Sequence, residues 1–338
     1  MKAAVVPGVN APWGISEVPT PSPGPGEVLI RVRACGVCAN DVWLTRGVFD
    51  FPSATPSITG HEPVGEVVAL GAGVDSRSIG DRVGTTWVQG TCERCDYCLR
   101  RLPVGGQAAM NCAAPVLTGI TVPGGHAEYM TVPAEATVRI PDGVPYELAA
   151  PMMCAGYTAW SALRVGAPTP SDRVAVLGIG GLGHLAVQFS DACGFETIAV
   201  TGSPDKHDLA RQLGASMVVG NGEELRAAGG ADVILATGKS HRAAADAMRG
   251  LRVNGRMVLA GLDPSEAFTI PPDVPFFAQG QRVLGATHEG LDHLVEALDF
   301  VESGKVTPVV EVFAMDQVAD AVERVAKGEV RFRAVVTY

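Results

Sequence analysis

The sequence predicts an α/β protein in two main parts. Three observations carry the prediction: short β-like runs broken by Pro and Gly over residues 1–150, a change of pattern near 155–175, and apolar strands alternating with helical segments from residue 173 onward. The β-like runs fall at 28–32, 64–70 and 129–132, which suggests a barrel-like all-β domain. The alternating part starts with strand 173–178 (RVAVLG) and helix 182–193 (LGHLAVQFSDAC). Strand 196–200, helix 205–213, strand 216–219, strand 231–235, helix 241–250 and strand 256–260 follow. Strands and helices at this spacing make a doubly wound parallel sheet with helices on both faces. After about residue 287 come a helix with Leu291, Leu294, Val295, Leu298 and Val301 on one face, a second helix at 316–327 and a last strand at 332–336. That tail need not belong to the parallel sheet.

Composition narrows the function classes. The chain has 338 residues, enough for two domains at ~150 residues each. With 47% hydrophobic and 18% charged residues it is globular, not disordered. A net charge of -10 with no basic cluster argues against nucleic-acid and anionic-membrane partners. No signal-peptide pattern and no apolar run of ~18 residues is found, so the expected location is the cytoplasm.

Eight cysteines in such a chain point to metal binding or chemistry before disulfides. Cys92, Cys95, Cys98 and Cys112 crowd into TCERCDYCLRRLPVGGQAAMNC. Short spacers let thiolates converge on one ion, and four complete a closed tetrahedral shell. A structural zinc is expected here; free thiols or a disulfide pair are the competing readings. Cys35 and Cys38 form a second Cys-x2-Cys, without the surroundings of a redox pair. Cys193, among apolar residues near a helix end, is expected to be a small buried hydrophobe.

The turn after strand 173–178 reads Gly178, Ile179, Gly180, Gly181, Leu182, Gly183. It follows an apolar strand and opens an apolar helix, which dinucleotide binding requires. The first glycine makes the tight turn, the second admits the pyrophosphate, and the third lets helix and strand pack closely. An ordinary Gly-rich turn is the competing reading. At the end of the next strand, where a carboxylate would select NAD(H), the chain has Thr201, Gly202, Ser203, Pro204, Asp205 and Lys206. Two hydroxyls and an ammonium suit a 2′-phosphate, so NADP(H) is expected over NAD(H). Thr201 as a mere strand-end residue is the alternative.

Three further motifs complete a pattern: Cys-Gly-Val-Cys-Ala-Asn-Asp at 35–41, Gly-His-Glu-Pro-Val-Gly-Glu at 60–66, and Pro-Met-Met-Cys-Ala-Gly at 151–156. With the cysteine cluster and the glycine turn, the chain resembles the zinc-dependent medium-chain dehydrogenase/reductase superfamily along essentially its whole length. It is most similar to the alcohol dehydrogenase and cinnamyl-alcohol dehydrogenase-like members. The resemblance implies a Rossmann domain joined to a GroES-like β-barrel catalytic domain, with boundaries expected at 1–152 (catalytic), 153–287 (Rossmann) and 288–338 (return to the catalytic domain). The active site would lie in the cleft between them. The resemblance also implies a catalytic zinc held by Cys38, His61 and Cys154, the Cys2His set familiar from alcohol dehydrogenases. Glu62 would replace the open-position water during exchange, and Asp41 would orient His61. Cys92, Cys95, Cys98 and Cys112 match the family's structural zinc lobe, although the last spacer, 13 residues, is longer than usual. The extra residues, within LRRLPVGGQAAMN, are expected to form a longer loop.

The chain departs from this pattern at two positions. Asn40 stands where a Ser or Thr usually binds the substrate oxygen and starts a proton relay, and Trp43 stands where its outer His is common. An amide donates a hydrogen bond but does not pass a proton as a hydroxyl does, and an indole only donates. The expected reaction is hydride transfer between NADP(H) and an aldehyde or alcohol. The alternative is 1,4-reduction of an enal or reduction of an iminium, with the relay lost. A non-catalytic dinucleotide-binding protein is a third reading, opposed by the retained ligands. Trp87 and Trp43 are expected to wall a pocket suited to an aromatic or extended unsaturated substrate. His126, His184, His207, His241, His288 and His293 carry no motif and are read as structural or solvent-facing. The family implies a homodimer or homotetramer.

Overall fold

The computed structural model describes residues 1–100, 109, 111–261 and 263–338. Most of the expected long loop, residues 101–108 and 110, therefore lies outside the described residues. The chain divides into two compact units. The first comprises Met1–Cys154, His288–Glu302 and Pro308–Tyr338; the second comprises Ala155–Thr287 and Ser303–Thr307.

In chain order, the first unit holds β1 (Lys2–Val5), β2 (Gly14–Glu17), β3 (Glu27–Val37), β4 (Pro63–Leu70), β5 (Arg82–Thr85), β6 (Val88–Gly90), β7 (Val116–Leu117), β8 (Tyr129–Pro133) and β9 (Thr137–Arg139). The second holds β10 (Arg173–Leu177), β11 (Glu196–Val200), β12 (Met217–Val219), β13 (Ala231–Ala236), β14 (Leu251–Leu259) and β15 (Arg282–Gly285). The chain then returns to the first unit with β16 (Val310–Ala314) and β17 (Arg333–Thr337).

The first unit is organised around β3, which runs further than the 28–32 expected from the sequence. Val28, Ile30 and Val32 alternate into a core with Val67, Val83, Met130 and Val132. Beyond them Ala34, Cys35, Gly36 and Val37 are all buried, so the alternation that marks a strand disappears. The reason is a change of partner. β8 pairs with 27–31 and β17 with 34–37, while β4 runs antiparallel along the other side. The β3–β4 register sets Cys35 opposite Pro63, which brings the end of β3 beside the start of β4. The tail strands β16 and β17 are parallel to each other and belong to this seven-stranded sheet.

The second unit is a six-stranded sheet of order β12-β11-β10-β13-β14-β15, parallel throughout. The order reverses at β10, where such sheets bind nucleotides. Every residue of β10 is buried, as expected for a strand covered on both faces. Two helices were not legible beforehand. Helix Ala155–Gly166 buries nearly its whole surface and so shows no polar stripe. Helix Gly222–Ala227 is short, although Asn221 caps it by accepting the Glu224 N–H at 2.9 Å.

Three expectations are corrected. Cys193 is exposed, because it caps helix Gly183–Ala192 after the last inward-facing turn. On helix Leu291–Glu302, Val295 is 46% exposed, and the buried stripe is Leu294, Ala297, Leu298 and Val301. The strand expected at 256–260 is β14, which begins five residues earlier at Leu251 and ends at Leu259. No helix among the described residues is long and apolar enough to cross a membrane.

Candidate metal centres and dinucleotide turn

Cys38, His61, Glu62 and Cys154 converge in the first unit. All four are buried, and one donor atom from each lies within 4.8 Å of the others. β3 delivers Cys38 to the start of helix Ala39–Thr45, the turn before β4 delivers His61 and Glu62, and Cys154 follows the 3-10 turn Ala150–Met153. Asp41, on the first turn of helix Ala39–Thr45, ties two of these segments together. Its carboxylate accepts the N–H of Cys38 at 2.8 Å and of Gly60 at 3.1 Å, and it faces His61 Nδ1 at 3.5 Å. Asp41 therefore points one ring nitrogen of His61 toward itself and leaves the other, Nε2, buried without a hydrogen-bond partner among the described residues. A metal-ligating histidine is held in this way.

Gly36 makes room for Glu62. A side chain there would place its Cβ 1.9 Å from Glu62 Oε2. Glu62 Oε1 accepts a hydrogen bond from buried Arg333 Nη2 at 2.5 Å, and Glu62 Oε2 has no partner among the described residues. Arg333 escaped sequence reading because it belongs to no motif; the only signal was an arginine in the otherwise apolar run AVV of β17.

The buried groups shift one another's charge. Burial opposes charge on His61, yet Asp41 and then Cys38 outweigh it and push the ring up to about 10. Burial likewise opposes the Asp41 carboxylate, but His61 holds it down at about 2. A hydrogen bond with Cys154 lowers the Cys38 thiol, and the same bond raises Cys154. Burial lifts Glu62 to about 7 against the pull of Arg333. Two sulfurs, one imidazole nitrogen and one carboxylate, buried together, fit a borderline-soft divalent ion such as zinc. Cys35 takes no part; its thiol lies in the β3 core, and burial raises its pKa.

Cys92, Cys95, Cys98 and Cys112 form the second cluster, also within 4.8 Å. Glu93 takes a positive φ of 56°, which turns the chain between the first two cysteines. The sulfurs of Cys95 and Cys98 are 3.5 Å apart, those of Cys98 and Cys112 3.7 Å, and those of Cys92 and Cys98 4.0 Å. A tetrahedral zinc with Zn–S of ~2.3 Å gives sulfur–sulfur edges of about 3.8 Å, so the set fits. Backbone N–H groups point at these sulfurs. Cys112 Sγ accepts from Cys92 N at 3.2 Å and Ala114 N at 3.4 Å, and the Ala113 N–H lowers Cys95 to about 6.

In the second unit, Gly178 leaves β10 with φ +88°, and its N–H bonds Val200 O at 3.0 Å. Gly183 opens the helix Gly183–Ala192; a Cβ there would lie 1.9 Å from Gly178 O, so only glycine permits this strand–helix approach. A Cβ on Gly180 would meet nothing within 4 Å, while its N–H donates to Gly178 O at 3.2 Å and its carbonyl accepts the His184 N–H at 3.1 Å. Gly181 and Leu182 complete the turn. Thr201 follows β11 and is buried, and its Oγ1 accepts the Ser203 N–H at 3.2 Å. Ser203 and half-buried Lys206 lie on the same turn.

Of the expected pocket residues, Trp87 packs edge-on against His61 with ring centroids 4.4 Å apart. Trp43 packs against Phe49 at 5.6 Å, and Asn40 is half-buried on the first turn of the same helix as Trp43. Buried His288 faces Thr86 Oγ1 at 3.5 Å, and that hydroxyl donates to Met153 O at 2.7 Å, next to Cys154.

These features can be set beside known proteins. Residues 24–142 match the alcohol dehydrogenase GroES-like domain, and residues 181–303 match the zinc-binding dehydrogenase family. An alcohol dehydrogenase of Geobacillus stearothermophilus is 39% identical over 345 aligned positions, covering 99% of each chain. The 8-hydroxygeraniol dehydrogenase of Catharanthus roseus is 32% identical, covering 93% of this chain and 88% of its own. The structure of a cinnamyl alcohol dehydrogenase from Sorghum bicolor superposes with a TM-score of 0.88 at 28% identity, over 99% of this chain and 97% of that one. With its two sheets and these matches along nearly its full length, the chain belongs to the alcohol dehydrogenase family, within the zinc-type medium-chain dehydrogenase/reductase superfamily.

Proposed function

We propose that the chain is a zinc-dependent, NADP(H)-preferring reductase of aromatic or extended unsaturated aldehydes, working reversibly on the matching alcohols. The observation that carries this reading is the buried meeting of Cys38, His61 and Cys154, with His61 Nε2 lacking a hydrogen-bond partner among the described residues. These three residues would hold a catalytic zinc, with Glu62 as the exchange ligand, and Cys92, Cys95, Cys98 and Cys112 a structural one. A zinc ion in the first site supplies Lewis acidity toward a substrate oxygen. A nicotinamide on the second unit supplies or accepts the hydride.

The chain's own residues do the positioning. Asp41 holds Cys38 and His61 in register. Trp87, edge-on to His61, offers a flat apolar wall that suits a planar conjugated substrate. The names of two relatives, 8-hydroxygeraniol and cinnamyl alcohol dehydrogenases, support the same substrate class. Asn40 donates an amide N–H to the substrate oxygen without passing a proton on. Gly178, Gly180, Gly181, Leu182 and Gly183 receive the pyrophosphate at a helix N-terminus. The Thr201 hydroxyl accepts from Ser203 N and so keeps its proton to donate; with Ser203 and Lys206 it receives the 2′-phosphate.

The test is to supply C4-deuterated NADPH and cinnamaldehyde to the zinc-loaded protein and locate the label by NMR. Deuterium at C1 of cinnamyl alcohol supports the reading. Deuterium at C3 of the saturated aldehyde supports conjugate reduction, the alternative that Asn40 and Trp43 leave open. No turnover with cinnamaldehyde or simple aldehydes contradicts both.

A further inference from the structure

The sequence alone suggests that His126 is structural or solvent-facing. It is wholly buried in the first unit, and its surroundings converge on the segment that presents His61. Residues 58–60 and 124–126 run beside each other through three backbone bonds. Gly124 N donates to Ile58 O at 2.7 Å, Gly125 N to Gly60 O at 2.7 Å and His126 N to Thr59 O at 3.1 Å. Gly60 turns with φ +96° immediately before His61, and its N–H reaches Asp41 at 3.1 Å. The His126 ring is pressed against that turn; a Cβ on Gly60 would lie 2.8 Å from His126 Cδ2. The ring is itself fixed from two sides. Its Nδ1 shares a hydrogen bond with the Tyr338 hydroxyl at 2.8 Å, and Trp13 meets it edge-on at 5.6 Å. Tyr338 follows β17 and bonds Arg33 O on β3 through its own N–H. The hydroxyl is thus anchored to the sheet that carries Cys38.

We propose that Tyr338 and His126 are positioning residues for His61: the Tyr338 hydroxyl orients the His126 ring, and the ring holds the Gly60 turn so that His61 faces both Asp41 and the other donors. Asp41 acts on His61 from the helix side; His126 acts on its backbone from the neighbouring segment 124–126. The proposal rests on the reading of Cys38, His61 and Cys154 as metal ligands. Loss of an outer hydrogen-bonding partner of a metal ligand weakens metal binding by ~10–100-fold. Tyr338 lies one step further out, so the effect of removing its hydroxyl is set at about threefold to tenfold.

The experiment follows zinc release from the full-length holoprotein into a chromogenic chelator. Release phases are assigned with C154A, which lacks a donor of the buried site, and C95A, which lacks one of the cysteine lobe. The expected result is that Y338F speeds release from the buried site at least about threefold and leaves the lobe phase at its wild-type rate. In an H126F background the hydroxyl has no imidazole to orient, so adding Y338F changes nothing further. The proposal is overturned if Y338F leaves both phases unchanged, if it speeds both equally, or if the two substitutions act additively. A wild-type protein that holds one zinc per chain by elemental analysis, all of it lost in C95A, overturns the ligand reading itself, a failure that is distinct from any result with Y338F.

Discussion

Cys92, Cys95, Cys98 and Cys112 come from one stretch of chain, stand half-exposed except for Cys112, and offer only sulfur. Cys38, His61 and Cys154 come from three segments far apart in the sequence, are buried, and mix sulfur with nitrogen. The contrast lies in what holds each set. The lobe is held by its own turns and by backbone N–H groups that point at its sulfurs. The buried set is held by side chains of the surrounding elements: Asp41 of helix Ala39–Thr45 between two donor segments, and Arg333 of β17 on Glu62. A closed four-sulfur shell has no position left for substrate, whereas a Cys2His set leaves one. The first therefore suits stability and the second suits chemistry.

Perturbing the two clusters should give opposite results, and the largest effect falls on the buried set. C154A should lower the steady-state rate of aldehyde reduction by more than ~100-fold, beyond the range for an outer partner, because a donor itself is lost. D41N should lower the same rate or the zinc affinity by about 10–100-fold, since it weakens the hold on both Cys38 and His61. C95A reverses the pattern. Its thermal midpoint, followed by circular dichroism, should fall by roughly 5–10 °C while kcat below the transition stays within about twofold. If C95A abolishes turnover in the folded protein, the division of labour is wrong.

The second unit allows a smaller change. T201D places a carboxylate where the 2′-phosphate is expected. It should shift the ratio of kcat/KM for NADPH over NADH toward NADH by about tenfold or more. The smallest effect concerns pH. Burial pushes His126 down to about 4, although Asp41 opposes it. The unfolded chain takes up this proton near 6.5 and the folded chain does not. Stability present above that value is therefore lost as pH falls from about 6.5 toward 4. Urea midpoints across this window should fall less steeply in H126F than in the wild type.

What the sequence disclosed follows the same contrast. The lobe could be read from residue spacing alone because its donors are neighbours in the chain, and so could the glycine turn, which sits between a strand and a helix with clear periodicity. The buried set could be suggested only through resemblance, because no spacing rule links residues 38, 61 and 154. The extension of β3 to Val37 was hidden because burial on both sides erased its alternation, and the fully buried helix Ala155–Gly166 lost its polar stripe in the same way. Arg333, His126 and Tyr338 could not be found in advance. Their roles come from contacts across the sheet, such as the 2.8 Å bond between His126 and Tyr338, and no local pattern encodes such contacts.

The most direct test counts zinc per chain in the wild type, C154A and C95A by elemental analysis after gel filtration. The account predicts two ions in the wild type and one in each variant, with reductase activity lost only in C154A. One ion in the wild type, or two retained in C154A, would contradict it.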